Sequence, residues 1–258
     1  MTDVKHTHDL TYEGGLVTKR YIDGKLGAAE REWRALSLLA EHAPGLAPEP
    51  IAFEDGAVRM SRIDGVSLHG SSVTAEHAAA MAAALAELHA AVPAHVLGGV
   101  PLRPWQRAAI VEWIGHRHAE WTSREPLTDL AAKEGARWLE SWEPGDEGIR
   151  PVFGAGDGNL ANFMWDGSRI RIVDYEDSGS SDLAFELAEL AEHVSLWVDG
   201  EVEIVDRFEL SRAEERRLRE CRKAHVLVWF YLLSYEHPRN PPGTFQRQAE
   251  RVLARLGA

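Results

Sequence analysis

The sequence predicts an α+β fold in two lobes, a small β-rich lobe over residues 1–62 and a larger, mostly helical lobe over 63–258. Three observations carry this. The first sixty residues mix β-branched runs with one helical period. From about residue 70 the apolar spacing is helical. One β-rich segment, 150–174, interrupts the helices.

The elements follow in order. Leu16 to Ile22 is rich in β-branched and aromatic residues and leaves the turn Gly14-Gly15, so it reads as a strand. Trp33, Leu36, Leu39 and Ala40 recur at helical spacing, and Pro44 and Pro48 end that helix. Ile51 to Phe53 and Ala57 to Met60 flank Glu54-Asp55-Gly56, a hairpin signal. Thr74 is a candidate N-cap for a helix with Met81, Leu85, Leu88 and Val92 on one face. Trp105 to Trp142 holds two helices. Arg150 to Phe153 is a short strand entering a loop. Phe163 to Trp165 and Arg169 to Val173 flank Asp166-Gly167-Ser168, a second hairpin. A lone hairpin is marginal, so helices should cover one side of it. Leu183 to Val198 reads as a helix with Leu183, Leu187, Leu190, Val194 and Trp197 inward. Ser211 to Glu214 is a capping box, and Leu218, Cys221, His225, Val228 and Leu232 continue as one stripe. Pro241-Pro242 precedes a last helix, Phe245 to Leu256.

Composition narrows the function. The 258 residues carry 28 Lys and Arg against 41 Asp and Glu, a formal charge of −13. A chain this acidic is a poor nucleic-acid binder through its net field; it permits a cationic small-molecule partner. A single cysteine, Cys221, excludes internal disulfides and multi-cysteine metal sites. The longest apolar run, Ala78 to Ala86, is far below the roughly 20 residues of a spanning helix. No apolar run marks the start of the chain. A cytoplasmic protein without membrane partners is expected.

The chemistry concentrates in Gly154-Ala155-Gly156-Asp157-Gly158-Asn159-Leu160-Ala161-Asn162 and the Asp174 that ends the second hairpin. A hairpin returns its second strand beside its start, so Asp174 should lie near Asn162, and both near Asp157. Two carboxylates and an amide carbonyl are hard oxygen donors, which suit Mg²⁺. Asp and Asn in turns are more often simple turn formers. What raises this set above that reading is its spacing, which repeats the catalytic loop and metal-binding Asp of kinases. An upstream strand Lys and a helix Glu add to it.

The segment Phe153 to Ala188 (FGAGDGNLANFMWDGSRIRIVDYEDSGSSDLAFELA) resembles the signature of the aminoglycoside phosphotransferase and choline kinase-like family. That family carries an H-G-D-x-x-x-x-N loop, a hairpin, an I-D-[WF]-E segment and a D-P-A-x-D-L-A helix start. Glu30 to Leu36, Met60 to Gly65 and Leu85 to His89 resemble its glutamate helix, its hinge and its L-A-x-L-H helix. The resemblance implies a protein-kinase-like fold and ATP-dependent, Mg²⁺-dependent O-phosphorylation of a small-molecule hydroxyl. An aminoglycoside-type or related antibiotic is the leading acceptor. It also implies roles: Asp157 as catalytic base, Asn162 and Asp174 as Mg²⁺ ligands, Lys19 on the α- and β-phosphates, Glu32 orienting Lys19, and the backbone of Ser61 to Ile63 on the adenine.

The chain departs from the family at Ala155, where the loop His stands, and in the few residues before Lys19. Lys25 rivals Lys19, and Glu30 rivals Glu32. Asp182 reads as a helix cap, Asp177 as a carboxylate near the metal, and Glu176 as facing the acceptor or solvent. His6 with His8, and His116 with His118, are at most half of a zinc site. Val226 to Leu233 reads as buried helix before acceptor pocket. Glu192, His193, Glu236 and His237 are charged candidates for a cationic substrate, but such residues are usually solvated. A nucleotide-binding pseudokinase and a metal-dependent hydrolase are the competing functions.

Overall fold

The computed structural model describes residues 8–21, 26–143, 145, 148–235 and 241–257. They form two compact units, residues 1–104 with 151–181, and residues 105–150 with 182–258.

The first unit opens with a four-stranded antiparallel sheet. Its strands are β1 (His8–Glu13), β2 (Leu16–Tyr21), β3 (Pro50–Glu54) and β4 (Ala57–Ser61), in the order β1-β2-β4-β3. Gly14 and Gly15, at φ 55° and 80°, and Asp55 and Gly56, at φ 50° and 68°, make its two-residue turns. Positive φ at both central positions matches the strand twist. β1 is the strand that sequence patterning leaves unmarked, because its residues are exposed or half-buried. Helix α1 (Ala28–His42) buries Ala28, Ala29, Glu32, Ala35, Leu36 and Leu39. Helix α2 (Ala75–Ala91) starts at Thr74, whose capping box takes His77 as its third residue. Its predicted face, Met81, Leu85 and Leu88, is buried together with Val92. A short helix α3 (Ala94–Leu97) follows.

The second hairpin is not alone. Strand β5 (Val66–Ser67) pairs with β7 (Phe163–Trp165), which pairs with β8 (Ile170–Ile172). β6 (Pro151–Gly154) pairs with β9 (Gly179–Asp182). The Ala-rich α2 packs on β6 and β8, the covering helix that the hairpin requires.

The second unit holds α4 (Arg107–Ala119), α5 (Pro126–Ser141), α6 (Leu183–Glu192), α7 (Arg212–Leu233) and α8 (Thr244–Leu256). α7 packs on α4, α6 and α8, and α5 packs on α8. Ser211 and Glu214 form the expected capping box, and Asp182 caps α6 at Phe185 N–H, 2.8 Å.

Three expectations are corrected here. α6 stops at Glu192, and a 3₁₀ turn over Val194–Leu196 follows, with His193 Nδ1 accepting Ser195 N–H. Val194 and Trp197 are buried from that turn rather than from the helix. The α7 stripe fails at its end: Leu232 is exposed while Leu227, Phe230 and Tyr231 are buried. A repeat of 3.5 residues drifts around a helix of 3.6, by about 20° per heptad. Glu192 is fully buried and faces no substrate. Arg222 and Arg255 meet its Oε1 at 2.6 and 2.8 Å, and Arg251 meets Oε2 at 3.0 Å, tying α6 to α7 and α8. Glu236, His237, His6 and Lys25 lie outside the described residues. Among the described residues no helix is long and apolar enough to cross a membrane.

Candidate active site

Lys19 sits mid-strand on β2, opposite Leu10 on β1 and Val58 on β4. This register buries its side chain to 4% exposure. Its ammonium meets three carboxylates: Asp174 Oδ1 at 2.6 Å, Glu32 Oε2 at 3.0 Å and Glu176 Oε2 at 3.2 Å. Burial alone would lower the Lys19 pKa. Glu32, Asp174 and Glu176 outweigh it and hold the amine protonated, above its ordinary range. Glu32 lies on the buried face of α1, whereas Glu30 is exposed. Besides Lys19, Glu32 Oε2 accepts Tyr21 O–H at 2.8 Å and Tyr175 N–H at 3.1 Å. The Tyr21 ring lies 5.0 Å from the ammonium. One cation thus meets three carboxylates, and burial pushes the Glu32 carboxyl above its ordinary range against the pull of Lys19.

The second half of the site is the loop after β6. Asp157 Oδ1 accepts Asn159 N–H at 3.0 Å, and Oδ2 accepts the Asn162 side-chain amide at 3.0 Å. Asn159 in turn caps the 3₁₀ turn Leu160–Asn162 through Ala161 N–H. Val173 N–H donates to Asn162 C=O at 3.0 Å, which closes the hairpin back onto the loop. The next residue, Asp174, adopts φ 68°. Aspartate is one of the few non-glycine residues that adopts this left-handed backbone, at a cost of roughly 1–2 kcal/mol or less. Burial pushes the Asp157 carboxyl up to about 6, and the Asp174 charge adds to the rise. The hydrogen bonds from Asn159 and Asn162 oppose it.

A cavity of about 300 Å³ opens beside these groups within the first unit. Leu10, Val17, Met60, Ile63, Met164 and Val173 give it apolar walls, and Lys19, Glu32, Asn162 and Asp174 line it too. At the end of β4, Ser61 N–H donates to Glu49 C=O and the Ser61 hydroxyl accepts Glu49 N–H, both at 2.9 Å. Arg62 N–H donates to Gly15 C=O at 2.8 Å. Ile63 N–H has no hydrogen-bond partner among the described residues.

The family model described as the phosphotransferase enzyme family matches residues 6–223, well over half of the chain. The chain belongs to this family. It is a small-molecule phosphotransferase. Solved structures give the fold independently. A choline/ethanolamine kinase family protein from Mesorhizobium loti is 18% identical, with a TM-score of 0.68, over 98% of this chain and 86% of that one. Choline kinase LicA from Streptococcus pneumoniae is 16% identical, with a TM-score of 0.63, over 100% and 92%. Aminoglycoside 2′-phosphotransferase-IIIa, solved as its GDP complex, is 16% identical, with a TM-score of 0.58, over 99% and 94%. Identities this low speak for the α+β, protein-kinase-like fold alone. No curated protein matches the chain.

In this phosphotransferase the structure brings Lys19 to Glu32 and Asp174, and Asp157 to Asn162. Among the described residues no three His, Cys, Asp or Glu side chains are arranged to hold a metal. The donor set nevertheless suits Mg²⁺, which needs only one or two protein oxygens and leaves the rest to water and phosphate. Asp174 supplies a carboxylate, and Asn162 keeps its amide oxygen while its nitrogen holds Asp157.

One member of the site, Tyr21, escapes the sequence reading, and another, Glu176, is read for a different place. Tyr21 stands two residues past Lys19 on β2, a spacing that shares a strand face and is the signal for it. Glu176 follows Asp174 in a turn, where no such periodicity applies. Glu176 is neither solvated nor turned to an acceptor: it is buried against Lys19. Asp177 lies 3.9 Å from Arg31.

Proposed function

We propose that this phosphotransferase moves the γ-phosphoryl group of ATP to a hydroxyl of a small molecule, with Mg²⁺ bound. The observation that carries the reading is the juxtaposition at one cavity of a caged lysine, a strained aspartate and an asparagine bonded to a second aspartate. Phosphoryl transfer needs positioning and charge stabilisation more than covalent help, and these groups supply both.

In this reading residues 1–62 cover the nucleotide. Lys19, oriented by Glu32, contacts the α- and β-phosphates. Its ammonium is already held charged, as a phosphate ligand must be. The backbone of Ser61 to Ile63 meets the adenine, and the unpartnered Ile63 N–H is its donor. Asn162 and Asp174 hold Mg²⁺, which when bound neutralises charge on the phosphate oxygens. Asp157 accepts the proton of the acceptor hydroxyl. The hydroxyl oxygen bonds to the γ-phosphorus, the bond from that phosphorus to the β,γ-bridging oxygen breaks, and ADP leaves. A base pushed up to about 6 is ionised at neutral pH yet basic enough to help.

The related structures are named for choline, ethanolamine and an aminoglycoside. Amino alcohols and amino sugars are therefore the acceptors to test first. The charge of −13 suits their cationic groups. An aminoglycoside-type antibiotic as acceptor would make the enzyme a resistance factor. ATP as donor places its action in the cytoplasm.

The experiment is turnover with MgATP, and separately MgGTP, against aminoglycosides, macrolides, choline, ethanolamine, nucleosides and simple sugars. An acceptor gaining the mass of one phosphoryl group as ADP forms supports the reading. Phosphate release with every acceptor inert favours a hydrolase. Nucleotide binding with neither product favours a pseudokinase.

A further inference from the structure

Among the described residues of the first unit, one charged side chain is buried without belonging to the Lys19 cage. Arg103, in the segment between α3 and α4, is 1% exposed. Its Nη2 donates to the C=O of Gly156 at 2.9 Å, across 53 positions of chain. Gly156 is the residue before Asp157.

The backbone around this contact is unusually close. Arg103 N–H donates to Ser180 C=O at 3.2 Å, and Ser180 N–H donates to Pro101 C=O at 2.9 Å. This stitches 101–103 to β9. A Cβ on Gly179 would lie 2.6 Å from Arg103 N. A Cβ on Gly156 would lie 2.2 Å from Asp177 C=O, and Gly156 adopts φ 94°. Both positions therefore admit only glycine. Three strips, 101–103, 154–157 and 177–180, meet backbone to backbone. Within Gly154-Ala155-Gly156 no side chain can form a hydrogen bond. A side-chain hold on the peptide before Asp157 must come from another part of the chain, and Arg103 provides it.

We propose that Arg103 is a positioning residue for phosphoryl transfer, its guanidinium fixing the Gly156 peptide and so the aim of the Asp157 carboxylate. This rests on the reading of Asp157 as the base. A charge-assisted hydrogen bond and a misplaced base each correspond to about 10- to 100-fold in an equilibrium or a rate.

The test uses the full chain as Arg103→Met, which keeps length without a donor, Arg103→Lys, which keeps one donor group, and Asp157→Asn. Two quantities are read: hydrogen exchange over 154–162, with α8 as internal reference, and kcat and KM for phosphate release from MgATP with water as acceptor. Arg103→Met is expected to raise loop exchange about 10- to 100-fold, leave α8 unchanged, lower kcat by a similar factor and keep KM for ATP within about threefold. Arg103→Lys is expected to recover part of both. Unchanged loop exchange in Arg103→Met overturns the proposal. So does a kcat that holds in Arg103→Met while Asp157→Asn abolishes it, or a loss that moves loop, α8 and KM together. Full turnover in Asp157→Asn would instead refute the base assignment, and loop exchange would still decide whether Arg103 holds the loop.

Discussion

Replacing Glu32 with Gln keeps the shape of the side chain and removes one charge from the cage around Lys19. Glu32 Oε2 accepts three donors, from Lys19, Tyr21 and the Tyr175 amide, at 2.8 to 3.1 Å. Three donors on one oxygen require the carboxylate, since a glutamine oxygen is a weaker acceptor and its nitrogen only donates. Breaking a fully buried ion pair costs about 3–5 kcal/mol. Here the ammonium is not orphaned, because Asp174 and Glu176 stay at 2.6 and 3.2 Å. The loss is therefore nearer one charge-assisted hydrogen bond, about 2 kcal/mol. In a chain of this size that lowers Tm by roughly 4–8 °C. The freed ammonium closes onto Asp174 and is drawn away from the phosphates, so KM for ATP should rise about 10- to 30-fold. Thermal melts and initial rates against ATP concentration measure both effects. Glu30→Gln, on the exposed side of α1, is the control and should change neither. A Glu32→Gln enzyme that melts and binds ATP like the parent would refute the claim that Glu32 organises Lys19.

Three further outcomes follow from the same geometry. Gly156→Ala places a Cβ 2.2 Å from the Asp177 carbonyl at φ 94°, so the loop must shift. Turnover should fall about 100-fold with ATP affinity little changed, measured by kcat and calorimetric Kd. The Asp157 carboxyl is raised from 3.8 to about 6, chiefly by burial and then by Asp174, so the folded state binds this proton more tightly than the unfolded chain does. Its contribution to stability is greatest below about pH 4 and declines as the pH rises to about 6. Urea midpoints at pH 4 to 7 should show that decline in the parent and lose it in Asp157→Asn, while kcat/KM of the parent should drop as the pH falls through about 6. The Tyr175 hydroxyl is buried with no partner among the described residues. Tyr175→Phe removes an unsatisfied group, so Tm should hold or rise; a fall of several degrees would show that the hydroxyl has a partner.

Local rules make much of this site legible in the sequence. A hairpin must bring its ends together, so Asp157, Asn162 and Asp174 can be associated from their spacing alone. Lys19 stands out as a cation in mid-strand, with Val17 and Tyr21 two positions away on the same face. Glu32 against Glu30 is harder, since two residues turn about 200° on a helix and nothing local says which side faces the sheet. The fold settles it by burying Glu32. Arg103 is not legible at all. Its partner is a backbone carbonyl 53 positions away, and backbone acceptors leave no trace in residue identity. The end of α6 is misread for a related reason: Val194 and Trp197 continue the helical spacing and are buried, but His193 turns the chain with its own side chain. Burial can imitate a helical stripe where the helix has already ended.

If Asp157 acts as the base of a small-molecule kinase, its removal must slow the chemical step itself. Single-turnover phosphorylation of the acceptor found in the panel, by the parent and by Asp157→Asn, each saturated with MgATP, measures that step. Asp157→Asn should bind MgATP within a few-fold of the parent and form phosphorylated acceptor about 10²- to 10⁴-fold more slowly. Equal rates of product formation in the two proteins would contradict that role.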